Sequence, residues 1–232
     1  MILRSIIFYV FLSVWTIFMG TICLPYLFIP YPYMQKPINV WISGIFQLLE
    51  TICNITHEIR GGCNVPEYAV IVASKHQSAF ETLALFLCLK KSVFIHKKQL
   101  FYIPIFGQYL KKSNMISIDR SAGASAIRKM LKQAKSKISD GYSIIVFPEG
   151  TRKKPGEKPD YKTGFIGIYN ETNSEILPVA VNSGHCWPKH TFVKKPGHII
   201  IKILKPISSG LKRPDILNRV QSIIEEETNK II

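Results

Sequence analysis

The 232-residue sequence predicts an α/β fold: a largely parallel mixed sheet flanked by helices, with an apolar helical segment in front of it. Three observations lead there. From Tyr68 onward, short β-branched runs alternate with helix-length stretches, the pattern of strands crossed over by helices. Ser5 to Gln35 carries no charged side chain. Charge is divided along the chain: residues 1–60 hold three basic and two acidic side chains, and residues 61–232 hold 27 basic and 13 acidic. A hydrophobic content of 47% excludes global disorder despite a net charge of +15, so the charge needs another explanation. Nucleic acid and an anionic membrane surface are the two partners that such basicity suggests.

The first element is the apolar stretch Ile6–Ile29. At ~1.5 Å per residue, the helix that it could form before Pro25 covers about 30 Å, one hydrocarbon core. Pro25, Pro30, Pro32 and Pro37 then stop a continuous helix. Ile38, Trp41, Ile42, Ile45, Leu48, Leu49, Ile52 and Ile55 recur at the spacing of one face of a second, amphipathic helix. Trp15, Tyr26, Tyr31, Tyr33 and Trp41 are of the type that anchors at a membrane interface. The run is too long for the apolar core of a cleaved signal peptide and long for a soluble core helix. Residues 1–60 are therefore expected to be membrane-anchoring helices, and residues 61–232 an α/β domain. A full span and a re-entrant dip both fit the length, and the positive-inside rule places the basic domain in the cytoplasm either way.

In the second part, Tyr68–Ser74, Val93–Ile95, Met115–Ile118, Ser143–Phe147, Ile176–Val181 and His198–Leu204 read as strands. Ser78–Lys91, Ala124–Ile138 and Asp215–Lys230 read as helices. Asp140-Gly141 ends the second of these helices, and Pro214 opens the third at its first turn. Arg152–Asp160 is a polar Pro/Gly loop.

Candidate chemistry falls at strand ends, where α/β sheets place their sites. His76 follows the first strand of the domain and Glu81 lies five residues on. A carboxylate beside an imidazole fixes its tautomer and raises its basicity, as a general base requires. The same Ser78-x-x-Glu81 is also a capping box, and spacing alone leaves both readings open. Phe147-Pro148-Glu149-Gly150-Thr151-Arg152 places a carboxylate, a glycine, a hydroxyl and a guanidinium at another strand end, a set suited to phosphate. Ile118-Asp119-Arg120 ends a third, and Lys97-Lys98 precedes the Pro104–Gly107 turn. Three basic sites, each ending an apolar run, suggest an anion pocket.

Other chemistries lack their signatures. The sequence contains no GxSxG elbow, no Walker A or GxGxxG loop, no HExxH and no zinc spacing, so no metal or cofactor is expected. No nucleic-acid-binding motif accompanies the charge, and nucleic acid is not an expected partner. Five cysteines form no CxxC pair, which fits a reducing compartment.

Taken in order, these residues resemble the glycerophospholipid acyltransferase family, most closely its bacterial lysophosphatidate-acylating branch. Four blocks carry the resemblance over about residues 70–184. His76 and Glu81 match a His-x4-Asp block; Lys98, Leu100, Pro104, Gly107 and Ile118-Asp119-Arg120 match the second. Phe-Pro-Glu-Gly-Thr-Arg stands unchanged at 147–152, followed by Lys162-x-Gly164, and Leu177-Pro178-Val179 matches the last. Lys75 stands where the family commonly has Asn, Glu81 where it has Asp, and Asn114 where it has Gly. The longer carboxylate shifts by about 1.5 Å, a C–C bond length, so the pairing requires a shifted helix start or a folded-back rotamer.

The resemblance implies a glycerol-3-phosphate acyltransferase-like fold and acyl transfer from acyl-CoA or acyl-carrier protein to the free hydroxyl of lysophosphatidic acid, giving phosphatidic acid. His76 would be the base and Glu81 its orienting acid. Lys98, Arg120 and Arg152 would grip the acceptor phosphate, with Glu149, Gly150 and Thr151 holding the glycerol side or shaping the loop. The remaining cations would hold the domain on anionic membrane lipids at the cytoplasmic face of the cell (inner) membrane, or receive an acidic carrier protein. A related acyltransferase acting on glycerol-3-phosphate or another lysolipid, and a non-catalytic lipid-binding protein, are the competing readings. A pure binder has no need of a His–carboxylate pair at a strand end.

Overall fold

The computed structural model describes residues 1–103, 106–119, 123–157 and 159–232. Its first helix, α1 (Ile2–Ile22), is apolar on nearly every side, and only Ser5, Phe8 and Met19 are buried. The hydroxyls of Ser13 and Thr21 donate to the carbonyls of Tyr9 and Ile17 one turn back, so these exposed polar side chains are satisfied within the helix. Two short 3-10 turns, Leu24–Phe28 and Tyr31–Met34, carry Pro25 and Pro32 and lead into α2 (Gln35–Cys53); Pro37, expected to stop a helix, sits instead in the first turn of α2, where its missing N–H costs nothing.

The two helices pack closely. The Trp15 ring occupies the space in which a Cβ on Gly44 would lie, 2.5 Å away. Trp15 Nε1 donates to the Trp41 carbonyl at 2.9 Å, and Trp41 Nε1 to Thr16 Oγ1 at 3.2 Å. The two tryptophans expected as interfacial anchors thus bind the helices to each other. At its start, α1 is tied down by Ser5 Oγ, which accepts the Lys194 N–H at 2.9 Å; at its end, Tyr109 OH donates to the Gly20 carbonyl at 2.7 Å. These ties lie fifteen residues apart, about 22 Å of helix, so α1 lies along the body. Its outer face, including Val10, Phe11, Val14 and Phe18, stays exposed, and Phe28 just beyond it is 89% exposed.

The body follows as β1 (Ile55–Arg60), β2 (Ile71–Ser74), α3 (Phe80–Cys88), β3 (Ser92–Lys97), α4 (Phe106–Lys112), β4 (Ile116–Ile118), α5 (Gly123–Ser139), β5 (Ser143–Val146), α6 (Gly164–Thr172), β6 (Ile176–Val181), β7 (Gly197–Ile203) and α7 (Arg213–Asn229). The described strands form one sheet of order β1-β7-β6-β2-β5-β3-β4. Every neighbouring pair is parallel except β6–β7. This is the largely parallel mixed sheet that the alternating pattern predicts.

Both faces of the sheet are covered, which is why the central strands read as continuous apolar runs. Along β2, Val72 faces a core shared with Phe8, Ile42, Leu49 and Leu85, while Ile71 and Ala73 face a core shared with Met130, Phe165 and Val220. Successive side chains of a strand point to opposite faces, so one short run feeds both layers.

Several elements differ from the sequence pattern. Ile55, expected as the last residue of the amphipathic face, opens the edge strand β1 instead. Asn54 takes the left-handed conformation (φ 55°) and turns the chain out of α2, a role that Asn performs with little strain. Helix α3 begins at Phe80 rather than Ser78 and ends at Cys88. Helices α4 and α6 were not expected; α6 buries Phe165, Ile166, Ile168 and Tyr169 and lacks an amphipathic signature. Asn114 has φ 59°, a left-handed conformation that Gly, the residue at this position in the resembling family, adopts freely and that Asn tolerates.

Candidate active site

Five neighbouring strands, β6, β2, β5, β3 and β4, run parallel, so their C-terminal ends open on one edge of the sheet. His76, Lys98, Asp119 and the 147–152 loop leave from four of these ends, and Ser183 follows the fifth. Sheet topology thus gathers segments far apart in sequence.

His76 Nδ1 lies 2.8 Å from Glu81 Oε1. The same oxygen accepts the N–H groups of Gln77 and Ser78, each at 2.8 Å. Oε2 accepts the hydroxyls of Ser78 at 2.7 Å and Ser183 at 2.6 Å. Ser78 Oγ in turn accepts the Phe80 N–H at 2.9 Å. The N-cap of α3 is Ala79, without a side-chain cap, so the capping box does not form at Ser78; the Glu81 carboxylate instead binds the amides ahead of the helix and pairs with the histidine. Helix α3 starts two residues late, and Glu81 folds back from its first turn; together these absorb the extra methylene. Burial alone would raise the Glu81 carboxyl, but the His76 contact, Ser183 and the Ser78 amide hold it below its ordinary value. An ionised Glu81 fixes the proton on Nδ1 and leaves Nε2 with a lone pair.

The 147–152 loop is stitched to the His76 backbone on both sides. Glu149 Oε1 accepts the His76 N–H at 2.7 Å, and the Lys153 N–H donates to the His76 carbonyl at 2.8 Å. The imidazole stacks on the Phe147 ring, with centroids 3.8 Å apart and planes at 16°. Gly150, at φ 67°, closes the turn in a conformation that disfavours any side chain.

The expected substrate-contacting residues divide into two groups. Glu149, expected to face the glycerol side or shape the loop, is turned beneath the loop and only 2% exposed, with its contacts made to the chain. Burial pushes its carboxyl up to about 7, against the pull of Lys75 and the His76 amide. Thr151 and Arg152 are exposed on the loop, and Lys189 Nζ lies 3.4 Å from Thr151 Oγ1. Lys98, half-exposed, is 3.5 Å from Asp119 Oδ2, because β3 and β4 pair with Lys97 opposite Ile118. With strands ~4.8 Å apart, β3 lies about 10 Å from β2, a glycerol-phosphate's reach from His76. Arg120 and Pro104 lie outside the described residues.

Sequence reasoning missed four participants. Gln77 Oε1 accepts the Gly184 N–H at 3.0 Å and so joins the end of β6 to the site. Ser183 supports Glu81. Lys75, which is buried, and Glu225, which is partly exposed, form an ion pair behind the site, with Nζ 2.7 and 2.8 Å from the two carboxylate oxygens. Only Lys75 carried a signal, as a departure from the family pattern; Ser183 and Glu225 are brought in by folding from 102 and 150 residues away from their partners.

Comparison with known proteins gives a consistent picture. The family model described as Acyltransferase matches residues 57–182. The chain is 31% identical over 205 residues to a 1-acyl-sn-glycerol-3-phosphate acyltransferase of Pseudomonas aeruginosa, covering 87% of this chain and 79% of that protein. It is 31% identical to the protein of that name from Limnanthes douglasii, over 79% of this chain and 66% of the relative. The crystal structure of the 1-acyl-sn-glycerophosphate (LPA) acyltransferase from Thermotoga maritima superposes with a TM-score of 0.81 at 25% identity, covering 99% of this chain and 95% of that one.

Proposed function

This chain belongs to the acyltransferase family, and we propose that it acylates the free hydroxyl of 1-acyl-glycerol-3-phosphate to give phosphatidic acid, using a thioester donor, acyl-CoA or acyl-carrier protein. The observation that carries this reading is the His76–Glu81 pair at the C-terminal edge of the sheet, with Nδ1 committed to the carboxylate at 2.8 Å.

In this reading Nε2 of His76 takes the proton from the acceptor hydroxyl as its oxygen attacks the thioester carbonyl. The tetrahedral adduct collapses, the C–S bond breaks, and the leaving thiolate recovers the proton from the imidazolium. Glu81 stabilises that imidazolium, as the acid does in a Ser-His-Asp triad, but the substrate supplies the nucleophile. Lys98, Arg152 and Arg120 are assigned to the acceptor phosphate, and Thr151 to the loop that presents Arg152. Glu149 belongs with the groups that orient His76.

The membrane assignment follows from the same chemistry. Pulling an acyl chain into water costs about 0.8 kcal/mol per CH2, so the site belongs at the interface. The exposed apolar face of α1 and the adjoining turn at Phe28 would enter the bilayer, with the basic body on the cytoplasmic side of the cell membrane. An acceptor and donor panel tests the function. Purified full-length protein in detergent should release thiol from acyl-CoA or acyl-carrier protein when lysophosphatidate is present, and not when it is omitted. Equal release with glycerol-3-phosphate would move the assignment to another acceptor, and no release with either donor would favour a non-catalytic lipid binder.

A further inference from the structure

Behind the loop that holds His76 lies a part-buried ion network whose lysine and second carboxylate the acyl-transfer mechanism does not use. Lys75 directly follows β2 and is 2% exposed. Its Nζ lies 2.7 and 2.8 Å from the carboxylate oxygens of Glu225 on α7, and 3.7 Å from Glu149 Oε2. Tyr161 OH donates to Glu225 Oε1 at 2.9 Å. Glu149 Oε1 accepts the His76 N–H, while Oε2 is buried and has no hydrogen-bond partner among the described residues. One oxygen of Glu149 therefore orients the catalytic backbone, and the other relies on the Lys75 charge alone.

From this geometry we propose that Lys75 and Glu225 are positioning residues, a charge clamp from the C-terminal helix that favours the ionised form of Glu149 and so holds the His76 backbone in place. The proposal rests on the assignment of His76 as the base. Three carboxylates, Glu81, Glu149 and Glu225, converge on the end of β2, and burial disfavours ionisation of Glu149. Glu225 and Glu81 push the Glu149 carboxyl up, and Lys75 pulls it down. The other charged or titratable groups that act on Glu149 are Lys153, on its own loop, and Tyr161. Lys75 stands out among these because it is itself buried, so its charge acts with little screening. Fixing it requires a carboxylate from another element, and Glu225 supplies one. This accounts for how the chain tolerates a lysine where the resembling family commonly has an uncharged Asn.

The test uses full-length protein in detergent. Carboxyl-13C NMR with labelled glutamate should show one resonance titrating with a midpoint near 7, and it should be absent in Glu149→Gln. Lys75→Met should move that midpoint up by at least one unit, and Lys75→Met/Glu225→Gln should bring part of the shift back. In parallel, Lys75→Met should lower kcat about tenfold at pH 7 with the acceptor KM nearly unchanged, and the deficit should shrink toward pH 9 as Glu149 ionises again. A midpoint that ignores Lys75→Met, or a deficit equal at every pH, would overturn the clamp and leave Lys75 a packing residue. Absence of transfer by the unmodified protein would instead refute the catalytic reading, while the NMR midpoints would still decide whether Lys75 controls Glu149.

Discussion

Glu81→Gln isolates the charge of the orienting carboxylate from its shape. Three donors, His76 Nδ1 and the N–H groups of Gln77 and Ser78, converge on Oε1, whereas Oε2 meets only two hydroxyls. The amide oxygen of Gln would therefore take the Oε1 position, and its NH2 would donate to Ser78 and Ser183, whose hydroxyls can rotate to accept. The hydrogen-bonding pattern survives and the negative charge does not. With charge centres ~4 Å apart and an effective dielectric of about 20, a carboxylate stabilises an imidazolium by about 4 kcal/mol. The amide dipole returns about a quarter of this, leaving ~3 kcal/mol, on the order of a hundredfold in kcat. The assay is thiol release at saturating donor and lysophosphatidate, with circular dichroism and Tm confirming a native fold. A folded Glu81→Gln protein with unmodified kcat would refute the claim that Glu81 stabilises a charged His76.

Other outcomes follow from the same geometry. Lys98→Ala and Arg152→Ala should each raise the KM for lysophosphatidate roughly ten- to hundredfold, with smaller effects on kcat; the loss of one charge-assisted contact is worth ~1.5–3 kcal/mol. A selective fall in kcat would remove them from the phosphate site. Phe11→Glu with Phe28→Glu should reduce sedimentation with anionic liposomes while leaving transfer to detergent-dispersed acceptor largely intact; unaltered liposome binding would show that this face does not enter the bilayer. Glu149 is pushed up to about 7, above its unfolded value of 4.5, so its stabilising contribution is complete below pH 4.5 and is lost as pH rises through 7. Glu149→Gln should therefore raise Tm relative to the unmodified protein at pH 8, and the two should converge near pH 5; a lower Tm for Glu149→Gln at pH 8 would contradict that sign.

The sheet was legible because its central strands are buried on both faces and read as apolar β-branched runs, several of them ending at a residue with chemical capacity. Edge strand β1 was not, because Ile55–Arg60 mixes His57, Glu58 and Arg60 into a run that continues the helical spacing of α2. The N-terminal segment was correctly marked as long and apolar, but its attitude depends on Ser5, Gly20 and Trp15, which contact Lys194, Tyr109 and Trp41 through folding. At the site, His76 and Glu81 are five residues apart, and their pairing could be anticipated from spacing together with the family resemblance. The inward turn of Glu149 could not, because it depends on the two hydrogen bonds that bind the loop to the His76 backbone. Lys75 announced itself only as an odd residue; its partner lies on the last helix, where nothing local marks one glutamate among Glu225, Glu226 and Glu227.

The most direct test of the central claim measures phosphatidic acid by mass spectrometry, using lysophosphatidate embedded in vesicles, a thioester donor, and either unmodified or His76→Ala protein. Unmodified protein should form phosphatidic acid with stoichiometric thiol release, and His76→Ala should form none above background while keeping its Tm. Normal turnover by folded His76→Ala protein would contradict the account.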